Sequence, residues 1–347
     1  MRPETAPLLT VDGLRKHYQL DNPLFGRARP PLKALDGVAF EMGKGETLAI
    51  VGESGSGKST LARLLVGLET PTSGSMRLQH TPSASKKAKT SLDVQIVFQD
   101  PYTSLNPRMT VRKIISEPWE IHPGLVSEGE RGARLLDLLT QVGLGPHHAD
   151  RYPYALSGGQ RQRVGIARAL AVSPPLIVCD EPVSALDVSV QAQVINLLRR
   201  LQREMGISFL FISHDMAIVR SIAQRIAVMY LGRIVEIGTN EDIYIRPTHP
   251  YTQSLLSSVP LADPRVRNLR NRIPLQGEIP NPANIPSGCR FRTRCWKARE
   301  ACAMEDPVLA DRGNHGHLNA CLFPELPEHA AASAIPANPS TKEAPSA

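Results

Sequence analysis

Two glycine-rich segments of the 347-residue chain have residue types that bind phosphate groups: GESGSGKST at 52–60 and LSGGQ at 156–160. The first has the spacing G-x-x-x-x-G-K-[ST], in which glycines let backbone N–H groups approach an anion, and a helix N-terminus adds a favourable dipole. Lys58 would supply charge to the β and γ phosphates of a nucleotide, and Ser59 a hydroxyl ligand to Mg²⁺. The predicted nucleotide contacts are Gly52, Glu53, Ser54, Gly55, Ser56, Gly57, Lys58, Ser59 and Thr60.

A pair of acidic residues follows an unbroken apolar run, PLIVCDE at 175–181. Such a run is typical of a buried strand. Hydrolysis at a phosphate loop needs an acid at the end of a neighbouring strand, so Asp180 is predicted to bind Mg²⁺ and Glu181 to polarise the attacking water. Cys179, inside the run, is predicted to be a small core residue.

The elements that must position these residues alternate between strands and helices. Strand-length apolar runs such as ETLAIV, VQIVFQD and ISFLFISH are separated by segments with helical spacing, such as TLARLLVGL and VQAQVINLLRRLQREMG. AVMYLGRIVEIG predicts a strand pair around Gly232. The alternation predicts an α/β fold with mostly parallel strands. From about 101 to 155, helical patterns broken by Pro and Gly predict an inserted helical subdomain.

Composition sets broad limits on the class of protein. The net charge of +7 and pI near 9.3 suit an acidic partner, although composition alone favours a merely basic surface. No apolar run approaches the roughly 18–20 residues of a membrane span, and the N-terminus lacks a secretory pattern. The chain is therefore expected in the cytoplasm, where its cysteines favour thiols or metal ligands over disulfides. Residues 326–347 lack apolar bulk and predict a disordered tail.

Six short motifs occur in an order that resembles the nucleotide-binding subunit of an ABC transporter. They are Tyr18 in LRKHYQL, the phosphate loop, Gln99 in VFQDP, LSGGQ about twenty residues before CDE, SALD at 184–187 and ISHD with His214. The resemblance implies a P-loop NTPase of the ABC type. It implies an ATPase domain over residues 1–245, the helical subdomain within it, and a small irregular cysteine-rich domain over 246–325.

The resemblance also implies that two such domains pack head to tail, with each ATP held between the phosphate loop of one and the LSGGQ loop of the other. Gln99 would join Ser59 and Asp180 at Mg²⁺, and His214 would contact the γ-phosphate and help to hold the water. Tyr18 would stack on adenine. The residues assigned to the second nucleotide or to the interface are Ser157, Gly158, Gly159, the supporting Gln160, and Asp187.

Three longer segments, FQDPYTSLNPRMTV, HPYTQSLLSSVP and GEIPNPANIPSGC, are similar to ATP-binding subunits of dipeptide and oligopeptide importers and their nickel relatives. This implies a motor subunit at the cytoplasmic face of the inner membrane. Its partners would be a second, different ATPase, two permeases and, indirectly, a substrate-binding protein, with no nucleic acid. Nickel or another small solute is an alternative cargo. Two alternative classes of protein are a soluble ABC ATPase that acts on ribosomes or DNA, and an iron-sensing regulator.

Four cysteines, Cys289, Cys295, Cys302 and Cys321, have the spacing C-x5-C-x6-C-x18-C in the proline-rich region. They predict one site of four thiolates. Zinc sites usually contain a tight C-x2-C pair, which is absent here. Iron–sulfur clusters also use four thiolates and tolerate wider spacing between them. The family resemblance implies a [4Fe–4S] cluster, with Zn²⁺ as the alternative. His315 and His317 are possible substitute ligands.

Overall fold

The computed structural model describes residues 6–19, 29–79, 92–259, 273–312 and 316–325. The predicted tail, 326–347, lies outside the described residues. The chain divides into two compact units, Met1–Ile234 with Pro280–Ile285, and Val235–Ile279 with Pro286–Ala347. Across the ranges just given, no helix combines the length and the apolar character needed to cross a membrane.

Eight complete strands lie in the described residues of the first unit. They are β1 (Leu9–Tyr18), β2 (Leu32–Met42), β3 (Thr47–Val51), β4 (Ser73–Leu78), β5 (Val94–Val97), β6 (Leu176–Asp180), β7 (Ser208–Ser213) and β8 (Arg225–Tyr230). Five of them form a parallel arrangement in the order β8-β3-β7-β6-β5. The predicted parallel core is therefore present, and the carboxyl ends of its strands share one edge, where ligands bind in open α/β sheets.

An antiparallel sheet in the order β2-β1-β4 accompanies the parallel one, and the sequence did not predict it. The pairing of β1 with β2 shifts register between Val11 and Leu14, Leu14 and Arg15, and Lys16 and His17. Such irregularities break the two-residue alternation that identifies a half-buried strand. The alternation of apolar and polar residues therefore did not indicate this sheet.

The α-helices given for the described part of this unit are α1 (Lys58–Leu65), α2 (Pro101–Ser104), α3 (Val111–Ile121), α4 (Arg131–Gln141), α5 (Gly158–Leu170), α6 (Val188–Met205) and α7 (Met216–Ile222). Two 3₁₀ turns, Pro146–His148 and Pro153–Ala155, lead from α4 towards α5. Between 101 and 155 the structure contains only helices and loops. Trp119 of α3 is fully buried and donates from Nε1 to the Ala171 carbonyl at 2.9 Å, which fixes this helical segment to the end of α5.

The second unit contains short regular elements separated by loops where the structure describes it. Its elements are β9 (Arg233–Thr239), which starts two residues before the unit boundary, α8 (Asn240–Ile245), α9 (Pro250–Ser257), α10 (Ala301–Met304), β10 (Ala310–Asp311) and β11 (Leu318–Asn319). β11 pairs antiparallel with both β9 and β10. Phe291 and Tyr251 are almost fully buried and pack with ring centroids 5.3 Å apart.

Candidate nucleotide-hydrolysis site

The phosphate loop joins β3 to α1 and depends on glycines with positive φ. Gly52 has a φ of 153°, and a Cβ there would lie 2.2 Å from the Met229 carbonyl oxygen. Gly57, the N-cap of α1, has a φ of 105°, and its Cβ would lie 2.4 Å from the Ala34 carbonyl oxygen. Only glycine fits at these positions, so the close backbone path of the loop is built into the sequence.

Lys58 is the first residue of α1 and is 6 % exposed. Its Nζ donates to the carbonyl oxygens of Gly52 at 2.7 Å and Glu53 at 2.9 Å, so the ammonium group lies across the loop. Burial lowers the pKa of Lys58, while the nearby carboxylates of Glu181 and Asp180 oppose the shift. A buried ammonium group of this kind is well suited to bind an anion.

Ser59 and Asp180 come together from α1 and the end of β6. The Ser59 hydroxyl donates to Asp180 Oδ1 at 3.2 Å. Burial raises the pKa of Asp180, and the hydrogen bond from Ser59 opposes that shift. A hydroxyl and a carboxylate beside a phosphate loop are the hard oxygen donors that Mg²⁺ takes together with nucleotide phosphates, so the donor set fits this ion.

Glu181 follows β6 in the left-handed conformation, with a φ of 47°, and its N–H donates to the Ile212 carbonyl at 3.0 Å. His214 Nδ1 lies 3.1 Å from one carboxylate oxygen, and Gln99 Nε2 donates to the other at 3.0 Å. His214 does not cap α7, because that role belongs to Asp215. The structure thus brings two predicted residues, one from the end of β7 and one from the segment after β5, to the carboxylate of a third that follows β6.

The second glycine loop begins α5. Ser157 is its N-cap and forms a capping box with Gln160, in which each side chain accepts from the other residue's N–H, at 3.3 and 3.0 Å. The Gln160 amide also lies 3.3 Å from His148 Nε2, a contact that the sequence did not predict. Gly159 faces α6, where a Cβ would approach Val190 Cγ1 to 2.5 Å. Asp187 is the N-cap of α6, although its side chain accepts no capping hydrogen bond.

Tyr18 lies at the end of β1, and its hydroxyl donates to Glu69. Burial and this hydrogen bond raise the pKa of Tyr18, while Thr60 and Arg63 act in the opposite sense. Lys16 Nζ lies 5.0 Å from the centroid of the tyrosine ring and 3.5 Å from the Glu69 carboxylate. The sequence did not predict the contacts of Lys16 and Glu69 with Tyr18, because Glu69 is 51 residues away in the chain and Lys16 was not singled out within its motif.

All four predicted cysteine ligands line one cavity of the second unit, which is about 20 Å³ in volume. Burial raises the pKa of Cys289, Cys295 and Cys321, the last to about 11. Among the described residues, no three His, Cys, Asp or Glu side chains are arranged to hold a single metal ion. The side chains therefore share a cavity without forming a one-ion site, and their backbones are fixed locally, for example by the Cys289 N–H donating to the Cys302 carbonyl at 2.8 Å.

His317 is not available as a substitute ligand, because its Nε2 lies 2.8 Å from Oε1 of Glu236 and both residues are buried. His315 lies outside the described residues. Glu236 also accepts from the Thr248 N–H and hydroxyl, each at 2.6 Å, and from the His249 N–H at 3.2 Å. The sequence did not predict this network, because Glu236 lies in an apolar run that reads as an ordinary strand.

Two family models match the chain, in keeping with its two compact units. Residues 35–184 match the model described as "ABC transporter". Residues 235–302 match "Oligopeptide/dipeptide transporter, C-terminal region". The second match covers Cys289, Cys295 and Cys302 and ends before Cys321.

Similar proteins extend over nearly the whole chain. The dipeptide transport ATP-binding protein DppF of Escherichia coli is 49 % identical over 329 residues, covering 93 % of this chain and 96 % of the relative. The oligopeptide transport ATP-binding protein OppF of Salmonella typhimurium is 48 % identical over 321 residues, covering 91 % and 96 %. The putative oligopeptide transport ATP-binding protein YkfD of Bacillus subtilis is 51 % identical over 309 residues, covering 88 % and 92 %.

Solved structures resemble the ATPase part of the chain. The ATP-binding cassette MJ0796, in a dimeric post-hydrolysis state with ADP and Pi, has a TM-score of 0.58 and 30 % identity, covering 67 % of this chain and 98 % of that one. The cbiO1 protein of Clostridium perfringens, part of the transporter complex cbiONQ, has a TM-score of 0.58 and 29 % identity, covering 69 % and 91 %.

A phosphate loop, a carboxylate held by a histidine and a glutamine, and a second glycine loop at a helix N-terminus define an ATPase of the ABC class. The chain belongs, within that class, to the family of ATP-binding subunits of dipeptide and oligopeptide transporters. It is accordingly an ATPase.

Proposed function

We propose that the chain is a motor subunit that hydrolyses ATP to drive the import of dipeptides and oligopeptides through a membrane permease. The observation that carries the proposal is the contact of Glu181 with both His214 and Gln99 beside the loop that holds Lys58. The similarity to dipeptide and oligopeptide transport ATP-binding proteins supports the cargo.

Each residue has a distinct chemical role in this proposal. Lys58 would exchange its two loop carbonyls for the β and γ phosphates of ATP, and Ser59 and Asp180, with help from Gln99, would hold Mg²⁺, which supplies positive charge to offset the phosphates. Glu181 accepts a proton from the attacking water, whose position His214 helps to fix. Tyr18 stacks on adenine with the ring face opposite the Lys16 ammonium group.

The second glycine loop acts on a different ATP, which is bound by a second ATPase subunit. The phosphate loop of this chain already provides a helix N-terminus, a lysine and Mg²⁺ ligands for its own nucleotide, so its own site has no need of Ser157, Gly158 and Gly159. The dimeric state of the similar cassette MJ0796 supports a paired arrangement. Asp187, beside this loop at the start of α6, would lie at the subunit interface.

Ser157→Arg tests the assignment of the second loop. The variant should bind ATP as an isolated subunit with unchanged affinity and should abolish turnover in the assembled transporter. Ser221→Arg, at an exposed serine of α7, is the matched control and should keep its turnover. Loss of ATP binding by the isolated Ser157→Arg subunit would mean that both loops hold one nucleotide, which contradicts the proposal.

The partners in this proposal are a second, different ATPase, two permeases and, indirectly, a substrate-binding protein, with no nucleic acid. The subunit would lie peripherally on the cytoplasmic face of the inner membrane. Transporter reconstituted in vesicles should take up labelled dipeptide only with intact Glu181. Uptake of Ni²⁺ in the absence of dipeptide uptake would assign the alternative cargo.

The proposal assigns residues 1–245 to the ATPase domain and 246–325 to a cysteine-containing domain that holds a [4Fe–4S] cluster. Its support is that four thiols line one cavity although no three of them are arranged for a single ion. Tetrahedral Zn²⁺ with bonds of about 2.3 Å needs its sulfur atoms tightly gathered, whereas a cluster distributes them over several irons. When bound, a cluster supplies a redox centre or a cross-link for a region with little core.

Anaerobic purification tests the cluster. The protein should be brown and release iron and sulfide, and Cys302→Ser should lose both while the P-loop still binds ATP. Cys179→Ser is the matched control, because Cys179 is buried in β6 and does not line the cavity. Stoichiometric zinc without iron would establish the alternative site.

A further inference from the structure

Arg161 is a buried cation in the first turn of α5, the helix that starts at the second glycine loop. Two effects oppose this placement. The N-terminal end of a helix carries partial positive charge, which disfavours a cation. A buried charge also costs free energy unless hydrogen bonds or opposite charge compensate it. The surroundings of Arg161 must therefore supply that compensation.

The guanidinium group is held by the turn that precedes the second glycine loop. Its Nε donates to the Pro153 carbonyl at 2.6 Å, and Nη2 donates to the Tyr154 carbonyl at 3.4 Å. Its Nη1 is buried and has no hydrogen-bond partner among the described residues. These contacts tie the first turn of α5 to the Pro153–Ala155 turn, and the loop with Ser157 lies between the two.

Tyr102 of α2 provides the remaining contact. Its ring centroid lies 3.8 Å from Cζ of Arg161, within the range of a cation–π interaction. The ring is 65 % exposed, so burial of the ring does not explain its position. A second arginine of α5, Arg168, donates from Nη1 to the Ser104 carbonyl of α2 at 2.8 Å. Two arginines seven residues apart on α5 thus hold α2.

α2 follows directly after Gln99, the residue that donates to the Glu181 carboxylate. Asp100 is the N-cap of α2 and accepts from the Tyr102 N–H at 2.8 Å, so only one residue separates Gln99 from the start of this helix. Glu181 and Arg161 are therefore connected through the Gln99 side chain, the short backbone segment from Gln99 to Tyr102, and the Tyr102 ring.

We infer that Arg161 is a positioning residue: with Tyr102, it sets the direction of the second glycine loop and links that loop to Gln99. The inference rests on the proposed function, in which this loop serves an ATP held by another subunit. Through the contact between Arg161 and Tyr102, the orientation of the loop that contains Ser157 would depend on the position of Gln99. Arg161 touches no reacting atom and acts only through the turn and the ring that it holds.

The test compares ATP binding by the isolated subunit with turnover in the assembled transporter. Arg161→Lys keeps the charge and loses the fork of donors. It should lower kcat about tenfold, with Kd for ATP of the isolated subunit within about twofold of the original. Arg163→Gln is the matched control, since Arg163 is on the same helix and donates to the Val142 carbonyl and to Gln193 instead. The Arg163→Gln variant should have the kcat of the original protein.

A double-mutant cycle shows whether Arg161 and Tyr102 act as one unit or contribute to turnover independently. Tyr102→Leu should lower kcat by a similar factor, Tyr102→Phe should not, and the Arg161→Lys/Tyr102→Leu pair should be no worse than either change alone. The inference would be overturned if the loss of kcat in the double variant were the product of the two single losses. It would also be overturned if Arg161→Lys had the same kcat as Arg163→Gln. Unchanged turnover with Ser157→Arg would instead overturn the proposed function of the loop.

Discussion

His214 and Glu181 lie 3.1 Å apart, between Nδ1 of the ring and Oε1 of the carboxylate, although 32 residues separate them in the chain. In the proposed mechanism, Glu181 accepts a proton from the attacking water and His214 helps to fix the position of that water. The other oxygen accepts from Gln99 at 3.0 Å. Both contacts depend on the parallel pairing of β5, β6 and β7, which brings their carboxyl ends to one edge.

Glu181→Gln should leave ATP binding intact and slow hydrolysis by about 10²–10⁴-fold, because the amide cannot accept the proton of the attacking water. The closed, ATP-bound dimer should accumulate. Nucleotide titration and single-turnover hydrolysis measure the two effects, in a complex whose second ATP site has been silenced. Unaltered turnover would show that another group is the base.

Lys58→Ala should abolish tight ATP binding by the isolated subunit, because it removes the ammonium group that lies across the loop on the Gly52 and Glu53 carbonyls. Lys44→Ala, at an exposed lysine before β3, should bind ATP normally. Equilibrium titration with a fluorescent ATP analogue compares the two variants. Equal affinities would contradict the assigned role of Lys58.

Gly57→Ala and Gly165→Ala should have opposite effects on stability. At Gly57 the φ of 105° is strained for alanine, and the Cβ would lie 2.4 Å from the Ala34 carbonyl oxygen. At Gly165, inside α5, a Cβ meets nothing within 4 Å, so alanine should stabilise the helix by about 0.5–1 kcal/mol. Urea denaturation measures both changes, and destabilisation by Gly165→Ala would be the contrary result.

Glu236 should make the second unit sensitive to acid. Burial alone would raise the pKa of Glu236, but the hydrogen bond and charge of His317, with the hydrogen bond from Thr248, lower it below the ordinary 4.5. A carboxylate with a lowered pKa stabilises the fold above its unfolded pKa, and this stability is lost as the pH falls through the folded value. Unfolding free energy should therefore fall below about pH 4.5, and Glu236→Gln should flatten that dependence.

Denaturation at several pH values, read from a probe in the second unit, measures the effect of Glu236. Glu236→Ala should cost about 3–5 kcal/mol at neutral pH, because it leaves His317 buried without its partner. Glu241→Gln, at an exposed position of α8, is the control and should change stability by no more than about 0.5 kcal/mol. An unchanged acid profile in Glu236→Gln would refute the assignment.

The sequence by itself determined the chemistry that is local in the chain. The phosphate loop and the acidic pair after an apolar strand each lie within a few residues, so composition and spacing suffice to predict them. The parallel core followed from the alternation of strands and helices. The order of the motifs indicated the family.

Only the tertiary structure decided which distant residues meet. The contacts of Gln99 and His214 with one carboxylate require the strand order β7-β6-β5, which periodicity does not encode. The antiparallel sheet was hidden because its strands are bulged, and the Glu236–His317 pair because a buried glutamate in an apolar strand resembles a solvent-facing one. The contact between Arg161 and Tyr102 brings Cζ of the arginine to 3.8 Å from the centroid of the ring, and such a contact between two helices results from packing rather than from local sequence.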